Sequence, residues 1–269
     1  MIAPYLLRPI IVLGLLALAA GPASTLVNLR RAVFGAETMV HGVFPGIVVG
    51  MALGGREGII PGGALCAALI AASLTAASRR PRSSEATTAV LLTAFFSLGI
   101  VISLRIGDMS GQLESLMFGR LLEVTDERLA QALIVCAVAL LLIAATWKEQ
   151  VAYAFDRTGA RASGLRLLAL DLVLNTAIAA AVVSASTAVG ILLVIGYLVI
   201  PGATARVLAS RVRTMVLVAI AVGVGGGYLG MLLMALPGTS DKPISPQATV
   251  ALVMTSILLV AVSVSTARE

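Results

Sequence analysis

Apolar stretches long enough to cross a bilayer recur along the whole chain, separated by short polar connections. A spanning helix needs roughly 17–25 predominantly apolar residues. The pattern predicts an all-α, polytopic transmembrane bundle, a single domain over residues 1–269 with nine helices. Eight is the alternative count, because only Ser184, Ser186 and Thr187 interrupt the sixth and seventh stretches. The nine predicted helices are 9–28, 33–54, 58–77, 86–104, 128–147, 167–187, 188–208, 214–236 and 248–266.

Composition supports an integral membrane protein. The chain is 59% hydrophobic and 12% charged, with a mean hydropathy of +1.05, which excludes a soluble globular domain. The formal charge is +6, but only 4% of residues are aromatic and no long basic run occurs, so we expect contact with membrane lipid and not with nucleic acid. Cys66 and Cys136 lie within apolar stretches and are interpreted as packing residues.

Lysine and arginine placement predicts the orientation. Thirteen of the 19 basic residues fall in one set of connections, which the positive-inside rule places in the cytoplasm. The N-terminus is then outside and the C-terminus cytoplasmic, with the first apolar run an uncleaved helix rather than a signal peptide. These thirteen are Arg30, Arg31, Arg79, Arg80, Arg82, Lys148, Arg157, Arg161, Arg166, Arg206, Arg211, Arg213 and Arg268.

The second predicted helix carries the candidate chemistry. It contains the chain's only histidine, His41, and the acidic residue Glu37 four positions earlier, so both share one helix face with Cβ atoms about 6 Å apart. Ten residues separate Arg31 from His41, a rise of ~15 Å, which puts the imidazole near the middle of a ~30 Å hydrocarbon core. A carboxylate and an imidazole there can hold one divalent metal ion. The alternative is an interhelical hydrogen bond that only stabilises the bundle.

Pro45 and a glycine series follow the two candidate ligands. Pro45 removes the N–H that would bond to the carbonyl of His41, which predicts a helix break beside the site. The series Gly42, Gly46, Gly50 and Gly54 predicts a smooth face for close helix packing.

Three further features lie outside the second helix. Asp171 is the second acidic residue within an apolar stretch, about 8 Å in from Arg166, and is a secondary candidate for the pathway. The segment Lys148 to Arg166 predicts a short cytoplasmic surface helix that either docks a partner or is an ordinary polar loop. The acidic connection from Arg105 to Glu127 is expected to face outward, as a cation-attracting or docking loop or simply a solvated one.

Catalytic motifs are missing from the sequence. There is no G-x-x-x-x-G-K-[ST] loop for ATP, no H-E-x-x-H and no G-x-S-x-G. We therefore do not expect an enzyme.

Arg30 and Arg31 precede Glu37, and the sequence HGVFPG begins at His41. With this pattern the chain resembles the membrane permease subunits of ATP-binding-cassette importers for manganese and zinc, which show an arginine pair, then an aspartate, and four residues later a histidine leading into H-A-V-L-P-G. Three further blocks match in order: LESLMFGRLLEVT (113–125), FDRTGARASGL (155–165) and VGILLVIGYLVIPGATAR (189–206).

The resemblance implies function and partners. It implies that Glu37 and His41 bind the passing manganese or zinc ion, and that no cofactor is bound permanently. It implies a second permease chain, in a homodimer or paralogous heterodimer, ATPase subunits on the cytoplasmic side and an extracytoplasmic metal-binding protein. The segment that meets the ATPase would contain Asp156, Arg157, Ala160, Arg161 and Gly164.

Departures from the family pattern bear on the metal. Glu37 replaces the usual aspartate, Val40 the serine that commonly precedes the histidine, and Ser163 a leucine. Metal preference and affinity are therefore open. Alternative functions are a proton-coupled secondary transporter using Glu37, His41 and Asp171, a permease for a siderophore or other metal chelate, and a membrane scaffold without transport.

Ligation by His41 predicts a pH dependence of uptake. Only the neutral imidazole binds a metal, so metal uptake should fall as the pH is lowered through the titration of the histidine. Uptake measured from neutral to mildly acidic pH tests this, and a flat profile would count against direct ligation.

Overall fold

A computed structural model describes residues 4–77, 85–106, 118–186, 188–234 and 245–267. Within these ranges the chain is almost entirely helical and contains no strand. The helices in order are α1 (Pro4–Leu29), α2 (Val33–Gly42), α3 (Phe44–Ala77), α4 (Glu85–Ile106), a 3-10 helix (Leu121–Glu123), α5 (Asp126–Ala145), α6 (Trp147–Phe155), α7 (Arg157–Ala162), α8 (Leu167–Ser186), α9 (Ile191–Leu208), α10 (Val212–Met234) and α11 (Pro246–Thr266).

The described residues contain nine segments that are long and apolar enough to span a membrane. They coincide with the nine predicted stretches, so the all-α class and the count of nine are confirmed. The second span, Val33–Gly55, combines α2 with the first arm of α3, and Glu57–Ala77 is the third span. The uncertain boundary between the sixth and seventh helices is real, because α8 ends at Ser186 and α9 begins after Gly190, which has φ +87°.

Helix α1 lies in the interior of the bundle. In the most apolar stretch of α1, 72% of the residues are buried inside the bundle, against 11% in α4 and 22% in α5. It packs against α5, α9 and α10. At Gly202 of α9 the two backbones nearly touch: the Gly202 N–H donates to Oγ of Ser24 at 2.8 Å, and a Cβ there would overlap the Ser24 carbonyl oxygen. Such contact between small residues is the usual basis of tight helix packing in membranes.

Helix α3 is a hairpin of two antiparallel arms. The chain reverses at Gly55, where the backbone has φ +58° and ψ −144°. A Cβ at Gly50 on the first arm would overlap the carbonyl oxygen of Gly58 on the second, and a Cβ at Gly62 would overlap the carbonyl oxygen of Gly46. The predicted glycine packing face therefore exists at Gly46 and Gly50, with the following span as its partner, whereas nothing lies within 4 Å of a Cβ at Gly54.

The end of α1 is a tight turn that leads directly into α2. The N–H of Arg31 donates to the carbonyl of Asn28 at 3.2 Å, and the N–H of Ala32 donates to that of Val27 at 2.8 Å. These are the two hydrogen bonds of a Schellman motif. Arg31 takes the left-handed conformation, φ +54°, that glycine usually supplies in this motif. Residues 30–32 alone connect the two helices.

Charged side chains mark the two ends of α1. Arg8, near its start, pairs with Asp126 at the first residue of α5, with N···O at 2.9 Å. At its other end Arg206 donates to the carbonyl of Asn28 at 2.9 Å, so Arg206 and Arg30 lie at the same end of the bundle, which is consistent with the predicted orientation. Several residues used in the sequence analysis lie outside the described residues: Arg79, Arg80, Arg82, Thr187 and Arg268, together with residues 107–117 of the acidic connection.

The α3 hairpin predicts unequal effects of alanine at two glycines of the same arm. Gly50→Ala places a methyl group against the Gly58 backbone and should destabilise the protein by ~1–3 kcal/mol. Gly54→Ala is the matched control, because nothing lies within 4 Å of the position of its Cβ. Thermal unfolding of both variants in the same detergent tests this, and equal midpoints would contradict the packing.

Candidate functional site

Helix α2 carries both candidate ligands on one face. Glu37 and His41 are four residues apart within Val33–Gly42, as predicted. Both side chains are half-buried, whereas Thr38, Met39 and Val40 between them are buried. Across the described ranges, neither Glu37 nor His41 has a hydrogen bond or an ion pair with another side chain. Their oxygen and nitrogen atoms are therefore free to bind a ligand.

Two ligands are fewer than a metal ion needs. No group of three or more His, Cys, Asp or Glu side chains that could hold a metal exists among the described residues. Zinc generally takes four ligands, and a chain-borne pair must therefore be completed by water, by backbone carbonyls or by a second chain.

The predicted helix break lies next to His41. Helix α2 ends at Gly42, Val43 is in a turn, and α3 begins at Phe44, so Pro45 occupies the first turn of α3, where a missing N–H is tolerated. The thiol of Cys66, on the second arm of α3, donates to the carbonyl of Gly42 at 3.2 Å. The interpretation of Cys66 as a buried packing residue is correct, and its thiol also satisfies a carbonyl at the break.

An aromatic ring of α4 borders the imidazole. The ring of His41 meets that of Phe96 with centroids 5.4 Å apart and planes at 70°. Phe96 also contacts Phe44, with centroids 5.6 Å apart. Gly99, one turn further along α4, makes room for Phe44, because a Cβ there would overlap the Phe44 ring. The sequence analysis missed Phe96; its only signal was an aromatic residue in the middle of an apolar span.

Asp171 belongs to a separate cluster at the end of α1. Its carboxylate pairs with Arg30 at 3.1 Å and accepts a hydrogen bond from the hydroxyl of Tyr153 at 3.2 Å. Burial, and then the nearby Asp171 carboxylate, raise the pKa of Tyr153, so the phenol stays protonated and donates. The structure thus brings Glu37 and His41 together and gives Asp171 other partners. Asp171, Arg30 and Tyr153 all line a cavity of about 490 Å³.

The predicted single helix between Lys148 and Arg166 is two helices, α6 and α7, which corrects the expectation. Asp156 separates them with an extended backbone, and its Oδ1 accepts from the N–H groups of Thr158 at 3.0 Å and Gly159 at 2.9 Å. An aspartate that caps the next helix in this way ends the preceding one.

The remaining residues of this segment divide by exposure. Ala160 is buried, Arg157 and Arg161 are exposed, and Gly164 follows α7 with φ +80°. Phe155, the last residue of α6, has 69% of its surface exposed. An aromatic ring beside arginines is typical of a surface that a protein partner covers.

Residues 3–265 match the family described as the ABC 3 transport family. The chain belongs to this family. Members are membrane permease subunits of ATP-binding-cassette transporters, so the chain is a transport subunit. The resemblance seen in the sequence is confirmed over nearly its whole length.

Individual relatives agree with this assignment. The chelated iron transport system membrane protein YfeC of Yersinia pestis is 32% identical over 203 residues, 73% of this chain and 68% of that protein. The manganese transport system membrane protein MntC of Listeria monocytogenes is 25% identical over 228 residues, 84% of this chain and 80% of that protein. The structure of PsaBC from Streptococcus pneumoniae in complex with Fab superimposes with a TM-score of 0.81 at 21% identity, over 97% of this chain and 91% of that one. At that identity the similarity shows a shared fold.

The cap at Asp156 predicts how α7 responds to substitution. Asp156→Ala removes both acceptor bonds and should destabilise α7 by ~1 kcal/mol, so that amide exchange at Thr158 and Gly159 becomes about fivefold faster. Asp156→Asn keeps an acceptor oxygen and is the matched control. Hydrogen exchange measured by mass spectrometry would contradict the cap if both variants exchanged alike.

Proposed function

We propose that this permease subunit carries a divalent transition metal ion, manganese or zinc, into the cell through an importer in the cytoplasmic membrane. One observation carries the proposal: Glu37 and His41 lie one turn apart in a broken span, and neither has a hydrogen bond or an ion pair with another side chain among the described residues. Relatives named for manganese and for chelated iron transport support a metal cargo.

The two side chains suit a transported rather than a resident metal. Imidazole is a good ligand for zinc and a carboxylate is a good ligand for manganese, so the pair can bind either ion. The last turn of α2 adds carbonyl oxygens, whose negative partial charge attracts cations. A coordination shell that is completed by water or by a second chain releases its metal ion more readily than a shell made entirely of side chains from one chain. The metal is therefore cargo, and no permanent cofactor is needed.

The incomplete set of metal ligands favours a second permease chain as a partner. The two candidate ligands stand beside α4, whose apolar window is only 11% buried. A copy of this chain, or a paralogue, packed over this side would cover α4 and supply further ligands. Homodimer and heterodimer meet this need equally.

The other partners follow from the two ends of the bundle. The exposed α6–α7 surface, with Phe155 and Arg161, is the proposed docking site of ATPase subunits in the cytoplasm. The opposite end, where Arg8 pairs with Asp126, would then face outward and receive metal from an extracytoplasmic binding protein. This orientation places the N-terminus outside and the C-terminus in the cytoplasm.

Alternating access supplies the mechanism. With the outer side open, Glu37 and His41 take the ion from the delivery protein. They release it inward as the ATPase subunits close and reopen. On the inner side the cavity of about 490 Å³ is lined by Phe34 and Gly35, less than one helical turn from Glu37. The break at Val43 gives the span a joint at which α2 can turn relative to α3.

Chelated iron is the second candidate cargo. The relative YfeC, which is named for chelated iron transport, is its specific support. A chelate brings its own ligands and would need a wide pathway rather than free coordinating groups. Competition between free manganese and an iron chelate for uptake separates the two cargoes.

The proposed metal site predicts the loss of uptake in two variants. Glu37→Gln and His41→Ala each remove one ligand, and metal uptake should fall by at least about tenfold. Replacing a residue that only hydrogen-bonds to a metal ligand already costs that much in metal affinity or activity. Uptake is measured with manganese and with zinc, alone and in competition, in cells with the complete transporter at matched membrane abundance.

Glu57→Gln is the matched control for Glu37→Gln. Glu57 is an exposed carboxylate beside the turn of the α3 hairpin, so the same chemical change there should leave uptake unchanged. Loss of uptake for one metal alone would identify the cargo. Normal uptake of both metals by His41→Ala would remove that residue from the mechanism.

A further inference from the structure

Arg30 is held in place by residues of two other helices. Its side chain is only 7% exposed, pairs with Asp171 of α8 at 3.1 Å, and donates a hydrogen bond to the side-chain oxygen of Gln150 in α6. The guanidinium also lies over the ring of Tyr153 in α6, with Cζ 4.0 Å from the ring centroid. A planar cation with several donors is suited to holding partners in different directions at once.

The partners of Arg30 are themselves connected. The hydroxyl of Tyr153 donates to Asp171, and Nε2 of Gln150 donates to the carbonyl of Leu170 at 3.0 Å. Helix α6 is therefore attached to the beginning of α8 by two hydrogen bonds, with Arg30 between them. Gln150 is fully buried, so these bonds are made away from water, where a lost partner is costly.

The same aromatic ring reaches the proposed docking segment. Arg157, the first residue of α7, lies on Tyr153 with Cζ 5.9 Å from the ring centroid. A displacement of α7 therefore acts on Tyr153 through Arg157, and a displacement of α6 acts on Arg30 directly.

On the other side, Arg30 is coupled to the candidate metal helix. It is the residue that follows α1, and the two hydrogen bonds of the Schellman turn fix Arg31 and Ala32 immediately after it. Helix α2 begins at Val33, and Glu37 lies in its second turn. No flexible linker separates Arg30 from α2, so a movement of Arg30 relative to α1 changes the direction in which α2 leaves the turn.

We propose that Arg30 is a positioning residue that transmits movement of the α6–α7 segment to the metal-site helix α2. This inference rests on the proposed function, in which ATPase subunits act on α6 and α7. Tyr153, Gln150 and Asp171 form the connection, and Arg30 converts a shift of α6 into a rotation of α2. A purely stabilising cluster would leave the yield of transport per ATP unchanged when it is weakened.

The test uses proteoliposomes that contain the complete transporter, with manganese ion as the transported probe. Arg30→Lys keeps the charge but loses the planar contacts with Gln150 and Tyr153, and Tyr153→Phe keeps the ring but loses the hydroxyl that binds Asp171. Arg213→Lys, at an exposed position in the first turn of α10, and Tyr228→Phe, with 40% of its residue surface exposed, are the matched controls. Manganese uptake and ATP hydrolysis are measured in the same vesicles for each.

In Arg30→Lys and Tyr153→Phe, the amount of manganese transported per ATP hydrolysed should fall roughly tenfold. The basal rate of ATP hydrolysis per assembled complex should stay unchanged. The controls should match wild type. If either variant loses uptake only in proportion to assembled complex, with the ratio unchanged, the inference is wrong. Tyr153→Phe decides the matter if Arg30→Lys does not assemble.

A wild-type transporter that moves no manganese or zinc would contradict the proposed function instead. In that case the inference is tested by measuring how much the extracytoplasmic binding protein stimulates ATP hydrolysis by the transporter. Loss of that stimulation in Tyr153→Phe, with the basal rate intact, supports transmission through the Arg30 cluster, and unchanged stimulation overturns it.

Discussion

The hydrocarbon core offers no water to a broken helix, and the geometry around His41 depends on how this chain meets that constraint. Any carbonyl left without its helical partner must find another donor or be covered by protein. At the break after Gly42 the thiol of Cys66 supplies a donor, Pro45 brings no N–H of its own, and Phe44 packs against Gly99 of α4. Protein therefore covers the break on two sides while Glu37 and His41 on α2 stay half-buried.

Most of the fold could be predicted from the sequence because the bilayer imposes one length and one secondary structure on each apolar run. Even the weak boundary at Ser184 and Ser186 was found, since polar residues and Gly190 interrupt the pattern there. The packing face of Gly46 and Gly50 was visible from spacing alone. That its partner is the next span, through Gly58 and Gly62, was not, because glycine spacing identifies a smooth surface but not what covers it.

The candidate site was predictable where a residue's role depends on spacing within its own helix. It was not predictable where the role depends on contacts with a different helix. Glu37 and His41 share a turn of α2, which spacing determines. The ion pair of Asp171 was not predictable, because its partner Arg30 lies 141 positions away in sequence. The place of Asp171 in the pathway stays a prediction, and its side chain lines the cavity of about 490 Å³. The split at Asp156 was missed because helix-forming residues on both sides hid the capping preference of one aspartate.

The interlocked glycines of the α3 hairpin limit which motions this span can make. Sliding one arm along the other by a single residue would press a side chain at position 51 or 59 into a backbone where only glycine fits. The hairpin thus has one stable register and no low-energy neighbour. We therefore expect the two arms to move together as one rigid unit. The short helix that bears Glu37 and His41, which joins this unit at Val43, is then the part of the span that can change direction.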